Sequence, residues 1–298
     1  MTFTVATQPA SQAAPFSPVP ADRTVSIATP DNVNIVAYQW GNPNGRPIVF
    51  VHGIYQSALT WNHQVSDPML AARYRLIALD LRGHGASDKP NGAEFYREGK
   101  RWADDLASLI KALELDRPVI VVWSYGGRVI NDYLVAYGDG LLGGLVYVGA
   151  RSAAEVPGGG DTRSESVAEA SRNLGSDDPT TMFKGTRQFV QASFELQPSI
   201  EEIDALTLAS MQTPLYVRRH LVRRPLDYEG ALKALRVPTL VVQGENDRVV
   251  PQAVGEYTHA LIAGSRLALY PGIGHSPFAE DTVRFNTELD AFVSALAK

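Results

Sequence analysis

The sequence predicts an α/β protein, a mainly parallel sheet flanked by helices and carrying one helical insertion, on three observations. Short all-apolar runs alternate with amphipathic helical stretches through the first half of the chain. The alternation lapses between about Arg151 and Leu235, and then it resumes. The 298 residues, 45% hydrophobic and 20% charged, have an ordinary globular balance and are numerous enough to bury a large core.

The opening, MTFTVATQPASQAAPFSPVPADR, has no basic residue before Arg23 and no uninterrupted apolar stretch. A secretory signal needs both, so none is expected and the chain is read as cytoplasmic. Its Pro, Ala, Ser and Gln content predicts a flexible tail over residues 1–22. Thr24–Ala28 and Val33–Trp40 read as two strands joined by a turn at Thr29–Asn32. After the turn GNPNGRP, Ile48–Val51 fits a strand buried on both faces. Trp61–Arg73 reads as a helix and Tyr74–Leu79 as a strand.

Glu98–Leu113 is amphipathic, with Trp102, Leu106, Leu109, Ile110 and Leu113 at helical spacing. Val119–Val122 is a strand entered through Pro118, a residue tolerated at a strand's start. Val129, Ile130, Tyr133 and Leu134 form one face of the helix that follows, and Leu145–Val148 is the next strand. Residues 152–233 then form the insertion, a helical cap with a Gly-rich opening (PGGGDTRSES) and helix starts at Asp177–Pro179 and Ser199–Glu202. The alternation resumes with Thr239–Gln243, Val254–Ile262, Arg266–Tyr270 and Thr282–Leu296. Residues 23–151 and 234–298 thus make one core.

Several function classes fall away on composition. A net charge of −5 argues against a nucleic-acid partner, whose phosphates need basic surface. No apolar run approaches the roughly 20 residues that span a bilayer. The absence of cysteine removes disulfides, thiolate catalysis and Cys-based zinc sites together. His220 and His259 lack a nearby ligand pair, so no metal site is expected.

The strongest chemical signal is VIVVWSYGG, Val119 to Gly127, an apolar strand running into Ser124 and then into glycines that open a helix. Such a turn lifts a nucleophile clear of the sheet and needs small neighbours. The helix start also puts free backbone N–H groups beside it, one from Tyr125, the residue after the nucleophile. Asp247 in QGENDRVVP follows the strand Thr239–Gln243, and His275 in YPGIGHSPF follows Arg266–Tyr270. Both stand past the carboxyl ends of strands, where open parallel sheets build their sites. The order Ser, Asp, His predicts His275 as the base for Ser124, with Asp247 fixing its tautomer.

On these residues the chain resembles the α/β-hydrolase superfamily, and within it the bacterial cofactor-free haloperoxidase and esterase branch. The resemblance runs from about Val25 to Ala297 and implies a mostly parallel eight-stranded sheet with a helical lid and no cofactor. PIVFVHGIYQSALTW, Pro47 to Trp61, is similar to the family's oxyanion loop, which implies Ile54 N–H as the second oxyanion donor beside Tyr125. DLRGHGASDKP, Asp80 to Pro90, is similar to a family loop in which Asp80, Arg82, His84 and Asp88 are read as bracing. One position departs. The family has a small residue two places before the nucleophile, where this chain has Val122, whose branched side chain should strain the turn or push a neighbour back.

Serine at position 124 separates this chain from the dehalogenases and epoxide hydrolases of the superfamily, which use aspartate there. It implies acyl transfer on a small-molecule ester or related acyl substrate, with peracid formation as a side activity when hydrogen peroxide replaces water. Hydrolysis of carbon–carbon bonds in ring-cleavage products and ligand binding by a receptor with a degenerate site are the alternatives. Tyr55, Trp123, Tyr125 and Phe278 flank the motifs and would give an aromatic pocket. Arg218, Arg219, Arg223 and Arg224 in VRRHLVRRP read as a solvated helix face. The oligomeric state is left open, a homo-oligomer included.

Overall fold

The computed structural model describes residues 16–150, 165–221 and 227–296. Eight strands form one sheet: β1 (Arg23–Ala28), β2 (Asn34–Gly41), β3 (Arg46–Val51), β4 (Tyr74–Asp80), β5 (Val119–Trp123), β6 (Gly144–Val148), β7 (Thr239–Gly244) and β8 (Arg266–Tyr270). Their order across the sheet is β1-β2-β4-β3-β5-β6-β7-β8. β2 pairs antiparallel with β1 and with β4, and every other neighbouring pair is parallel.

Between β3 and β4 lie a 3₁₀ turn at Ala58–Trp61 and two short helices, α1 (Asn62–Val65) and α2 (Pro68–Arg73). Helices α3 (Glu94–Arg97) and α4 (Gly99–Ala112) lead from β4 to β5, and α5 (Gly126–Tyr137) leads from β5 to β6. The β6–β7 connection holds α6 (Glu165–Asn173), α7 (Pro179–Ala192), α8 (Ile200–Met211), α9 (Leu215–Leu221) and α10 (Glu229–Lys233). No strand occurs among its described residues. Helix α11 (Gln252–Leu261) joins β7 to β8, and α12 (Pro277–Glu280) and α13 (Thr282–Ala295) close the fold.

The all-apolar runs become central strands because both faces of the sheet are covered. Every residue of β5 is buried. Its side chains alternate between two cores, as the period of two in a strand requires. Ile120 and Val122 pack with Trp102, Leu106, Ile130 and Tyr133 from α4 and α5. Val119, Val121 and Trp123 pack with Trp61, Phe278, Phe285 and Leu289 on the other face.

Two expectations need adjustment. The single helix expected over Trp61–Arg73 is broken at Asp67, whose extended backbone and carboxylate cap α2 by accepting the Leu70 N–H. A residue before proline avoids helical geometry, whereas Pro68 itself fits the first helical position. The tail expected over residues 1–22 is anchored in its last part. Val19 N–H donates to Asn62 Oδ1 at 2.9 Å, Asn62 Nδ2 to Ser17 O at 3.2 Å, and Trp40 Nε1 to Pro20 O at 2.9 Å. Residues 1–15 lie outside the described residues, as does most of the Gly-rich opening of the insertion. No helix among the described residues is long and apolar enough to cross a membrane.

Candidate active site

β5 runs directly into Ser124, which has a left-handed backbone with φ +51°. That conformation costs a non-glycine residue about 1 kcal/mol and persists only where its surroundings hold it. Ser124 N–H donates to Val148 O at 3.1 Å, and Ser124 O accepts the Gly127 N–H at 3.0 Å. A Cβ on Gly126 would stand 2.8 Å from Val51 O, so a side chain there would force α5 away from β3. Val122, the departure from the family pattern, is fully buried and registered between Val51 and Tyr147. The turn forms with the branched side chain packed in the core.

Asp247 lies in the turn after β7 and is surrounded by donors. Its Oδ1 accepts the N–H groups of Val249 and Val250, both at 2.8 Å. Its Oδ2 accepts from Gln243 Nε2 at 3.1 Å and lies 2.7 Å from His275 Nδ1. A carboxylate in that position assigns the imidazole proton to Nδ1 and leaves the lone pair on Nε2. His275 is buried; its carbonyl accepts from Trp123 Nε1 at 2.8 Å, and the two ring centroids are 5.2 Å apart. The strand end thus brings the imidazole next to the residue that precedes Ser124. The Ser124 hydroxyl itself is not hydrogen-bonded to the ring.

Two residues that sequence reasoning missed support this pair. Gly149, at the end of β6 with φ +47°, faces it so closely that a Cβ would lie 3.0 Å from His275 Nδ1 and 3.2 Å from Asp247 Oδ2. Glu280, on α12, accepts the N–H groups of Gly274 and Ser276 on either side of His275. The same carboxylate accepts from Glu195 N at 2.8 Å and Leu196 N at 2.9 Å, in the β6–β7 segment. A glycine ending a strand was the available signal for Gly149; nothing in the sequence marks Glu280.

The loop after β3 approaches the serine from the other side. A Cβ on Gly53 would lie 2.8 Å from the Trp123 ring and 3.2 Å from Ser124 Cβ, so glycine permits this close approach. Ile54 follows, and no hydrogen bond occupies its N–H among the described residues. Tyr55 comes next, with φ +60°. Tyr125, the other expected oxyanion donor, is the N-cap of α5, at the positive end of that helix.

The β4 loop braces these residues as expected. His52 Nδ1–H donates to Gly53 O at 2.7 Å while its Nε2 accepts the Leu81 N–H at 3.0 Å. His84 Nδ1–H donates to Arg82 O at 2.9 Å while its Nε2 accepts the Tyr55 N–H at 3.1 Å. Each ring therefore needs one protonated and one bare nitrogen. Burial supplies the neutral form: it lowers the affinity of His52 for a second proton, and it holds His84 well below the ordinary imidazole range, with His52 adding to the effect. Asp80 Oδ1 accepts the Ala58 N–H at 2.7 Å, and Asp88 Oδ2 accepts the Asn34 N–H at 2.7 Å. Arg82 grips Asp105 through two nitrogens at 2.7 and 2.6 Å.

The expected pocket residues are all buried. Trp123 and Phe278 meet edge to face at 5.2 Å and line a cavity of about 10 Å³, the size of one water, with Gln56, Thr60, Glu202 and Ser276. Phe278 also packs on Trp61 at 4.6 Å, which makes it part of the core as well. Burial pushes the Tyr55 phenol up to about 12, against the opposing pull of Arg218.

The arginine stretch corrects the expectation of a solvated face. Arg219 is exposed and pairs with Asp177 at 2.7 Å, but Arg218 is only 2% exposed. Arg223 and Arg224 lie outside the described residues. Val217, Arg218 and Leu221 are the buried residues of α9, a face set by docking. His220 stacks on Tyr96 and His259 meets Ser265, and no three His, Asp or Glu side chains among the described residues cluster as a metal would need.

Comparison with known proteins agrees with this architecture. The model of the alpha/beta hydrolase family matches residues 48–288. A non-heme chloroperoxidase of Streptomyces lividans is 30% identical over 286 residues, covering 91% of this chain and 99% of that protein. An esterase structure from Rhodococcus sp. ECU1013 superposes with a TM-score of 0.84 at 35% identity, covering 92% of this chain and 99% of that one. An esterase from Exiguobacterium antarcticum gives 0.77 at 26% identity, covering 91% and 99%. With its eight-stranded sheet and a family match over most of its length, the chain belongs to the α/β-hydrolase family, in the branch that holds the non-heme haloperoxidases and esterases.

Proposed function

We propose that the chain is a serine esterase acting on small, largely apolar carboxylic esters. The observation that carries the reading is the Asp247–His275 pair, 2.7 Å apart, behind a serine held at a strained strand-to-helix turn. In this mechanism Ser124 Oγ attacks the ester carbonyl carbon as His275 Nε2 takes its proton. The tetrahedral oxyanion is met by the N–H groups of Ile54 and Tyr125, and its collapse expels the alcohol, protonated by His275. Water, deprotonated by the same imidazole, then attacks the acyl-enzyme; the imidazolium returns the proton to Ser124 Oγ as the Oγ–acyl bond breaks and the acid leaves. Asp247 keeps the imidazole in the required tautomer throughout. A hydroxyl not yet bonded to its base is common in resting sites and tightens when substrate binds.

The aromatic rings of Tyr55, Trp123 and Phe278 near the site support an apolar substrate, and the segment 152–233 serves as its cap. The haloperoxidase relatives support a perhydrolase side activity, in which hydrogen peroxide takes the place of water at the acyl-enzyme and the product is a peracid. None of these steps uses a cofactor. The test is hydrolysis of p-nitrophenyl acetate by the Ser124→Ala variant. Loss of turnover in folded protein is the expected result, and near-normal turnover would remove the proposal.

A further inference from the structure

Arg218 is buried on α9 with no carboxylate in ion-pair reach among the described residues. Removing a guanidinium from water is costly unless its donors are met. Here they are met by the polypeptide: Nε donates to Thr213 O at 2.9 Å, Nη2 to Ser210 O at 2.6 Å, and Nη1 more weakly to Thr186 Oγ1 at 3.3 Å. These contacts tie α9 to α7 and to the C-terminal end of α8, where carbonyl groups favour a cation. They account for the burial of the charge. They do not account for where its face points.

That face lies 4.7 Å from the centroid of the Tyr55 ring. Tyr55 is the residue after Ile54, in a left-handed conformation, with its N–H held by His84 from the core side. Three residues further along α9, Leu221 O accepts the Tyr125 hydroxyl at 3.3 Å. Positions three apart share one helix face. One short helix therefore touches the residue beside one expected oxyanion donor and the residue that supplies the other. The helix is itself fixed to the core, through the Tyr216 hydroxyl on Lys89 O at 2.6 Å and the stacking of His220 on Tyr96.

We infer that Arg218 is a positioning residue for the oxyanion loop: through the face of Tyr55 it couples the β6–β7 helices to the placement of the Ile54 N–H. The inference rests on the esterase reading above. A cation over an aromatic face is attracted to it, and a planar guanidinium does so while keeping its in-plane donors for the carbonyls. Lysine offers neither the flat face nor the fixed fork of donors. A small displacement of an oxyanion donor weakens binding of the transition state more than of the substrate, so kcat is the sensitive quantity.

The experiment compares Arg218→Met, Tyr55→Leu and the double variant on p-nitrophenyl acetate, with circular dichroism and melting curves to verify folding. Arg218→Met is expected to lower kcat roughly ten- to a hundredfold with KM changed less than about threefold. Tyr55→Leu should lose a similar factor, and the double variant no more than about threefold beyond it, since both remove one coupling. A lowered melting temperature with wild-type kcat below the melt would mean a merely structural role and overturn the inference, as would losses that multiply in the double variant. If Arg218→Met does not fold, Arg218→Lys decides: reduced kcat at constant KM supports the inference, and wild-type kcat overturns it. Ser124→Ala separates the two claims. An inert Ser124→Ala beside a fully active Arg218→Met rejects the inference alone, whereas an active Ser124→Ala rejects the esterase reading and the inference with it.

Discussion

His84 Nε2 accepts the backbone N–H of Tyr55 at 3.1 Å, so a buried imidazole must stay neutral for the loop beside Ser124 to keep its shape. Burial holds His84 well below its ordinary range in the folded protein, while the unfolded chain takes up the proton near pH 6.5. Below that pH the unfolded state binds more protons than the native state, and stability falls as pH falls. From pH 7.5 to 5.5 this one group should remove about 1.4 kcal/mol. Urea unfolding at both pH values tests it. His84→Gln, which can still accept a hydrogen bond but does not titrate, should show a pH loss smaller by about that amount; equal losses would reject the assignment.

Gly149 and Gly138 make a matched pair. Both have positive φ, +47° and +69°, but a Cβ on Gly149 would crowd the Asp247–His275 pair while one on Gly138 meets open space. Alanine at either site should cost about 1 kcal/mol or more of backbone strain, with the larger cost at Gly138, whose ψ of −168° lies in a region nearly reserved for glycine. Only Gly149→Ala should also reduce ester turnover, by roughly tenfold or more, as the imidazole is displaced. Steady-state kinetics on the two folded variants checks this, and equal activities would contradict it.

Glu280 anchors the His275 loop through backbone N–H groups on both sides of the histidine and ties that loop to residues 195 and 196. Its removal leaves several part-buried donors without their acceptor. Glu280→Ala should destabilise the fold by about 2–3 kcal/mol, as hydrogen bonds to charged groups do, and should lower kcat. Denaturant titration measures the first and ester hydrolysis the second. A variant as stable and active as the parent would show that the loop holds itself.

Asp247→Asn keeps the shape of the acid but offers an amide to His275. An Asn that donates its N–H to Nδ1 would move the imidazole proton to Nε2, the wrong tautomer for a base. In serine hydrolases of another fold the same change costs about 10⁴ in kcat. A loss on the order of 10³-fold or more, with KM little changed, is expected in stopped-flow or steady-state assays. A loss of less than about tenfold would reject the role given to Asp247.

What was legible in the sequence and what was not divides on a physical line. Strands β3, β5, β6 and β7 could be read because burial on both faces gives each an apolar central run. The placement of Ser124, Asp247 and His275 just past strand ends could be read because glycines mark each turn, after the buried β5 and β7 and the partly exposed edge strand β8. The break at Asp67–Pro68 was written in the sequence, but the apolar spacing ran across it. Arg218 could not be read: a seven-residue helix has too little pattern to say which face docks, and the partners of this charge are carbonyls. Glu280 was hidden for the same reason, since its partners at 195 and 196 are backbone groups far away in the chain. Contacts to backbone leave no mark on a side-chain pattern.

The most direct measurement traps the covalent intermediate. The folded protein is treated with a fluorophosphonate or a slowly deacylating ester, digested, and its peptides weighed. One equivalent of adduct on the peptide carrying Ser124, absent from Ser124→Ala and slow to form in His275→Ala, is the predicted outcome. Protein that turns over ester while Ser124 stays unmodified, or that carries its adduct on another residue, would contradict the account.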